Sequence, residues 1–153
     1  MGGEVIGQAI GAHFVRLGGS PEGAGWIALL WEAIQGLDDW RDGDPVEPAQ
    51  CERVIHVVLH DLPAHPYFRR HLSYLLPHLS TLVLKWRGAN AIEANKDQAN
   101  YPQAFMWRAG FYDVVLMCLA LDMGADNAGR KAAEVAAMYG ETLDEFTKET
   151  NNA

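Results

Sequence analysis

Ser20-Pro21-Glu22-Gly23-Ala24-Gly25-Trp26-Ile27-Ala28-Leu29-Leu30-Trp31-Glu32-Ala33-Ile34-Gln35-Gly36-Leu37-Asp38-Asp39-Trp40-Arg41-Asp42-Gly43 is the stretch on which the fold turns. It opens with a hydroxyl residue able to accept from a first-turn amide, a proline that loses nothing at the first helical position, and an early acid that suits the positive end of a helix dipole. Trp26, Leu29, Leu30, Ile34, Leu37 and Trp40 then recur at three- and four-residue steps, which puts them on one arc of a helix. Gly43 and Pro45 stop it. The spacing therefore predicts a helix to about Arg41, with that apolar arc turned to a core.

Outward from this stretch the same period continues. No Asn-Gly or Asp-Gly separates two alternating β-branched runs, so the chain is all-α. A helix from about Glu4 to Leu17 precedes Gly18-Gly19. A third covers about Pro48 to Asp61, and a fourth runs from Pro66 to Gly88 with a kink expected at Pro77, which withdraws a backbone donor. Asn90 to Asn100 reads as part helix and part loop. A fifth helix spans Pro102 to Gly124 and a sixth Asp126 to Tyr139. Thr142 with Glu145 forms a capping-box pattern for a last short helix, and 150–153 should fray. The expectation is one domain over 1–153, a bundle of about six to seven helices, since 153 residues suffice for one core.

A net charge of −8 argues against a duplex-binding surface, which needs an excess of Lys and Arg. Nucleic acid is not an expected partner. Cys51 and Cys118 lack metal or disulfide spacing and read as reduced packing residues. No uncharged apolar run nears the roughly 18 residues of a membrane span, and the N-terminus has no targeting pattern: Ile6 stands where a myristoylation signal carries Ser or Thr. A cytoplasmic protein without membrane contact is expected. The chain leaves room for a protein partner, a second copy in a homo-oligomer included.

Five carboxylates, Glu32, Asp38, Asp39, Asp42 and Asp44, fall within 13 residues. At about 100° per residue, Glu32, Asp39, Asp42 and Asp38 share one helical arc. Clustered carboxylates repel one another unless a cation joins them, and oxygen-rich sites suit Mg²⁺. The alternative is a solvated acidic face. Asp38 to Asp61 is acidic while Leu62 to Ala91 carries Arg69, Arg70, Lys85 and Arg87 without an acid, and the two segments are expected to face one another. Asp113, inside the most apolar helix, should be buried and paired, because a buried carboxylate without a partner takes up a proton; Lys85, Arg87 or a metal would serve. Arg108 and Tyr112, four apart, project together. Glu52, His56 and His60 lie on one helical face, where adjacent pairs suit a transition metal but supply no third ligand.

Asp38-Asp39-Trp40-Arg41-Asp42 resembles the DDxxD motif of type I isoprenoid synthases, all-helical enzymes whose aspartates hold Mg²⁺ against a diphosphate. That resemblance implies metal ligation by Asp38, Asp39 and Asp42; in a Mg²⁺-dependent scheme built on it, Glu32 and Asp113 would complete or orient the site and Arg108 or Lys85 would contact phosphate, with Asp113 and Arg108 as the catalytic candidates. His60-Asp61 resembles the dyad of HD-domain phosphohydrolases, with His13 and Asp113 as outer ligands. The segments LWEAIQGLDDWRDGDP, LPAHPYFRRH and WRAGFYDVVL are similar to small helical proteins of tailed phages and proviruses, which implies an accessory or interaction role. Two functions follow: a phage-associated protein acting by binding, or a Mg²⁺-dependent enzyme or binding module for a phosphate-bearing molecule.

Overall fold

The computed structural model describes the backbone of residues 2–153 and the side chains from Ile6 onward. Met1 and the first side chains, on which the N-terminal targeting pattern depends, lie outside these residues. Among the described residues there are helices and turns and no strand. The helices are α1 Gly2–Arg16, α2 Pro21–Asp42, α3 Pro48–His56, α4 Leu62–Ala64, α5 Pro66–Arg70, α6 Leu72–Ala94, α7 Tyr101–Arg108, α8 Gly110–Met123, α9 Ala125–Ala136 and α10 Leu143–Asn152. A π turn, Val57–Asp61, joins α3 to α4, and a 3₁₀ turn, Gln98–Asn100, precedes α7.

The local signals act as expected. Ser20 Oγ accepts from the amide of Gly23 at 3.0 Å, and Pro21 is the first residue of α2. Gly43 closes α2 with φ +79°, a conformation glycine adopts without steric cost. Thr142 and Glu145 form both bonds of the capping box, at 3.2 and 2.8 Å.

Three boundaries differ. The fourth predicted helix is interrupted at His71 and then runs on through Pro77: Pro77 withdraws the donor that would meet the carbonyl of Ser73, and the helix restarts at Leu72, so the loss falls in its early turns. The fifth predicted helix divides at Ala109, whose ψ of 11° leaves the helical range. The last helix runs to Asn152, with Thr150 buried and Lys96 Nζ donating to the carbonyls of Thr150 and Ala153. Those carbonyls are last-turn acceptors that a helix cannot satisfy internally.

The main core gathers Phe14 of α1 and Leu17 just after it, Trp26, Ile27 and Leu30 of α2, Tyr67 and Phe68 of α5, and Phe111, Val114, Val115, Cys118 and Leu119 of α8. Trp26 stacks on Phe68 at 5.4 Å. On α2 the buried stripe is Gly23, Trp26, Ile27, Leu30, Ala33 and Gly36, so the predicted arc is right at its start and wrong at its end: Leu37 and Trp40 are exposed. A β-carbon at Gly36 would stand 2.3 Å from Val54 Cγ2, which shows how closely α3 approaches there. A second cluster, Ala89, Tyr101, Ala104 and Phe146, ties α6, α7 and α10 together. The run Gln98–Met123 is long and apolar enough to cross a bilayer by length and composition alone, but 44% of its window is buried, and it contributes the central core helix.

Candidate functional site

Between the main core and the second cluster lies a cleft of about 770 Å³. Trp31, Ile34, Gln35, Asp38, Arg41 and Asp42 of α2 form one wall, and Trp86, Asn90 and Glu93 of α6 form another. Arg108, Phe111, Tyr112, Tyr139, Glu141, Phe146 and Glu149 are among the residues completing it. Arg108 and Tyr112, which helical projection places together, both line it.

Arg108 is the central charge. Its side chain is 18% exposed and meets the Glu93 carboxylate, with Nε donating to Oε1 at 2.9 Å and a second bond from Nη2 to Oε2; Nη2 also donates to Asn90 Oδ1. Nη1 lies 3.6 Å from Asp38 Oδ1. Burial opposes its charge, yet Glu93, Asp38 and Asp42 outweigh that and hold the guanidinium above its ordinary pKa. Asp38 Oδ1 also accepts from Trp86 Nε1 at 3.1 Å. Arg41 lies over the Trp86 ring, 5.9 Å from its centroid, and donates to Asp42 at 2.8 Å.

The opposite rim is different. Glu141 accepts from the Tyr139 hydroxyl at 2.9 Å. Burial pushes its carboxyl above the ordinary carboxylate range; the tyrosine bond opposes this, and the neighbouring Glu149 and Glu145 add to it by like-charge repulsion. Burial likewise raises the Tyr139 and Tyr112 hydroxyls.

The structure thus brings Asp38, Asp42 and Arg108 to one cleft and sends the other sequence candidates elsewhere. Glu32 turns to α3 and binds Arg53 in a fork, at 2.8 and 3.1 Å. Asp39 is not a lining residue. The shared arc therefore splits between two neighbours, α3 on one side and α6 with α7 on the other. Lys85 Nζ donates to Asp113 Oδ2 at 2.7 Å, away from the cleft.

Asp113 is a correction: its side chain is 56% exposed, not buried. The projection that buried it ran straight through the break at Ala109, whereas Asp113 sits in the first turn of α8 beside α6. The segments 38–61 and 62–91 meet across the cleft through Asp38 and Trp86, but their acids and bases do not pair there. Arg70 pairs with Glu22 and Lys85 with Asp113, while Arg53, inside the acidic segment, holds Glu32 and Asp61.

The carboxylate that ties core helices together is half-buried and is not among the candidates that helical spacing singles out. Asp122 Oδ2 accepts from the Ser20 amide at 2.8 Å and Oδ1 from the Tyr67 hydroxyl at 3.1 Å, joining the end of α8 to the start of α2 and to α5. The signal was present: Val115, Cys118 and Asp122 share a helical face whose first two members are fully buried. The Cys118 thiol beneath it is pushed up to about 12 by burial, which makes it a packing group and not a nucleophile.

No protein-family model, curated protein or solved structure matches this sequence.

Proposed function

We propose that this protein acts by binding, as a helical interaction module whose cleft receives a basic side chain, Lys or Arg, of a protein partner. The observation that carries the reading is the asymmetry of the cleft. At its α2–α6 end every charge already has a partner: Arg108 is held by Glu93 and Asp38, and Arg41 by Asp42. At the other end Glu141 is half-buried beside Glu149, and its carboxyl is held above the ordinary range first by burial and then by the repulsion of Glu149 and Glu145.

Aromatic rings stand around that rim, with Tyr112 and Tyr139 at 5.7 Å, Phe105 and Tyr139 at 5.2 Å, and Phe146 in the lining. Aromatic faces beside a carboxylate suit an alkyl stem that ends in a cation. The lining holds five acids, Asp38, Asp42, Glu93, Glu141 and Glu149, against Arg41, Lys96 and Arg108, so the local field also favours a positive guest.

The diphosphate reading draws on Asp38, Asp42 and Arg108 sharing the cleft, but it needs them released from their present bonds. The resemblance to phage and provirus proteins fits an accessory protein of the host cytoplasm with a protein partner. The test is an NMR titration with an acetylated, amidated Lys-containing tripeptide and with its Gln counterpart. Shifts confined to Tyr112, Tyr139 and Phe146, seen with the Lys peptide alone and reduced at least tenfold in affinity by Glu141→Gln with Glu149→Gln, are expected. Equal response to both peptides removes the reading.

A further inference from the structure

The π turn after α3 does something a regular helix would not. The amide of Leu62 bonds to the carbonyl of Val57, five residues back, so one extra residue is accommodated between His56 and Asp61. In an α-helix side chains five apart diverge by about 140°; in the wider turn the divergence falls to roughly 50°. His56 and His60 already share a face, and their rings stack at 5.0 Å. The wide turn adds Asp61 to them.

The outcome is a compact donor set. Asp61 Oδ1 lies 3.2 Å from His56 Nε2 and 3.0 Å from His60 Nδ1. One donor atom from each of the three residues lies within 4.8 Å of the others. Ligand atoms about 2.0 Å from a tetrahedral ion sit roughly 3.3 Å apart, so two of the three separations already have the spacing of neighbouring ligands. The exposed imidazoles can close the third by side-chain rotation. Asp61 is oriented from behind: its other oxygen, Oδ2, lies 3.5 Å from Arg53 Nη1, and Arg53 is itself forked onto Glu32. Such outer contacts aim a metal ligand.

We propose that His56, His60 and Asp61 form a binding site for a borderline divalent transition ion such as Zn²⁺ or Ni²⁺. Two imidazoles and one carboxylate select this class over Mg²⁺ and Ca²⁺, which want oxygen alone. The remaining coordination positions face solvent, where water completes the shell. The site is separate from the cleft, none of whose lining residues it uses. Helical spacing alone pairs Glu52, His56 and His60 on one face without a third ligand; Asp61 supplies that donor here, and neither His13 nor Asp113 takes part in the cluster.

The test is a competition titration of untagged, full-length protein with Zn²⁺ and Ni²⁺ against a chromophoric chelator. One saturable site per chain is expected, weakened at least tenfold by His56→Gln, His60→Gln or Asp61→Asn, and unaffected by His13→Gln, His78→Gln or a large excess of Mg²⁺. These side chains are exposed or half-exposed, and a retained helical circular-dichroism spectrum shows that each variant is folded. The proposal is overturned by absence of saturable binding up to millimolar ion, by undiminished binding in the His56→Gln, His60→Gln double variant, or by equal losses in the His13 and His78 variants.

Discussion

Asp113 and Asp122 lie nine residues apart on α8, about 180° apart around its axis, and have opposite fates. Asp113 is solvent-facing and meets a single lysine across to α6. Asp122 faces inward and holds an amide of the α2 cap and a tyrosine hydroxyl of α5. The first is an acid that happens to be near a cation; the second is an acid around which three helices are joined. An aspartate in an apolar helix is thus not informative by itself. What counts is whether its i−4 and i−7 neighbours are core, and for Asp122 these are Cys118 and Val115.

The cleft extends the comparison to a third kind of charge, the buried hub. Arg108→Ala should be the most damaging of the charge removals, costing about 3 kcal/mol, because it strands Glu93 and Asn90 and takes a bond from Asp38. Chemical denaturation with an unchanged m-value would measure it. Asp122→Ala should cost about 2 kcal/mol, through loss of two bonds to a charged acceptor, the Tyr67 hydroxyl keeping the Cys118 carbonyl at 3.2 Å as its remaining acceptor. Asp113→Ala should change stability by less than about 0.5 kcal/mol, as exposed ion pairs do. A cost for Asp113→Ala equal to that for Asp122→Ala would erase the distinction.

Glu141 adds a prediction with a pH sign. Its folded-state pKa is raised, so the folded protein binds more protons than the unfolded chain between the ordinary value of 4.5 and the raised one. Its contribution to stability therefore falls as pH rises through that window. Glu141→Gln should be slightly stabilising at neutral pH, and its advantage should vanish below pH 4.5; thermal unfolding of both proteins at pH 4 and pH 7 checks this.

What the sequence made legible was local. Ser20, Pro21, Gly43, Thr142 and Glu145 act within a turn or two of themselves, and each performs the capping or terminating role its type suggests. The exposed Asp113 was misread because the break at Ala109 changes the phase of the helix, and nothing in the apolar period announces it. Asp38 and Asp42 were recognisable as unusual, but their partners Trp86, Arg41 and Arg108 include residues 48 and 70 positions away from Asp38, so a run of acids resembling a metal motif gave no sign of being spent on internal bonds. The joining of His56, His60 and Asp61 was half visible: spacing paired the histidines, whereas Asp61 enters only through a turn that sequence period does not encode.

The central claim, that the cleft rim around Glu141 waits for a positive group, is tested most directly by following the Glu141 side-chain carboxyl carbon by NMR through an acid titration. The measurement is made on the protein alone and again with the Lys-containing tripeptide in saturating excess. The account predicts a pKa above 4.5 in the protein alone and a fall when the peptide is bound, because an adjacent ammonium favours the carboxylate. A Glu141 titration that is unmoved by saturating peptide, or already at or below 4.5 without it, would contradict the account.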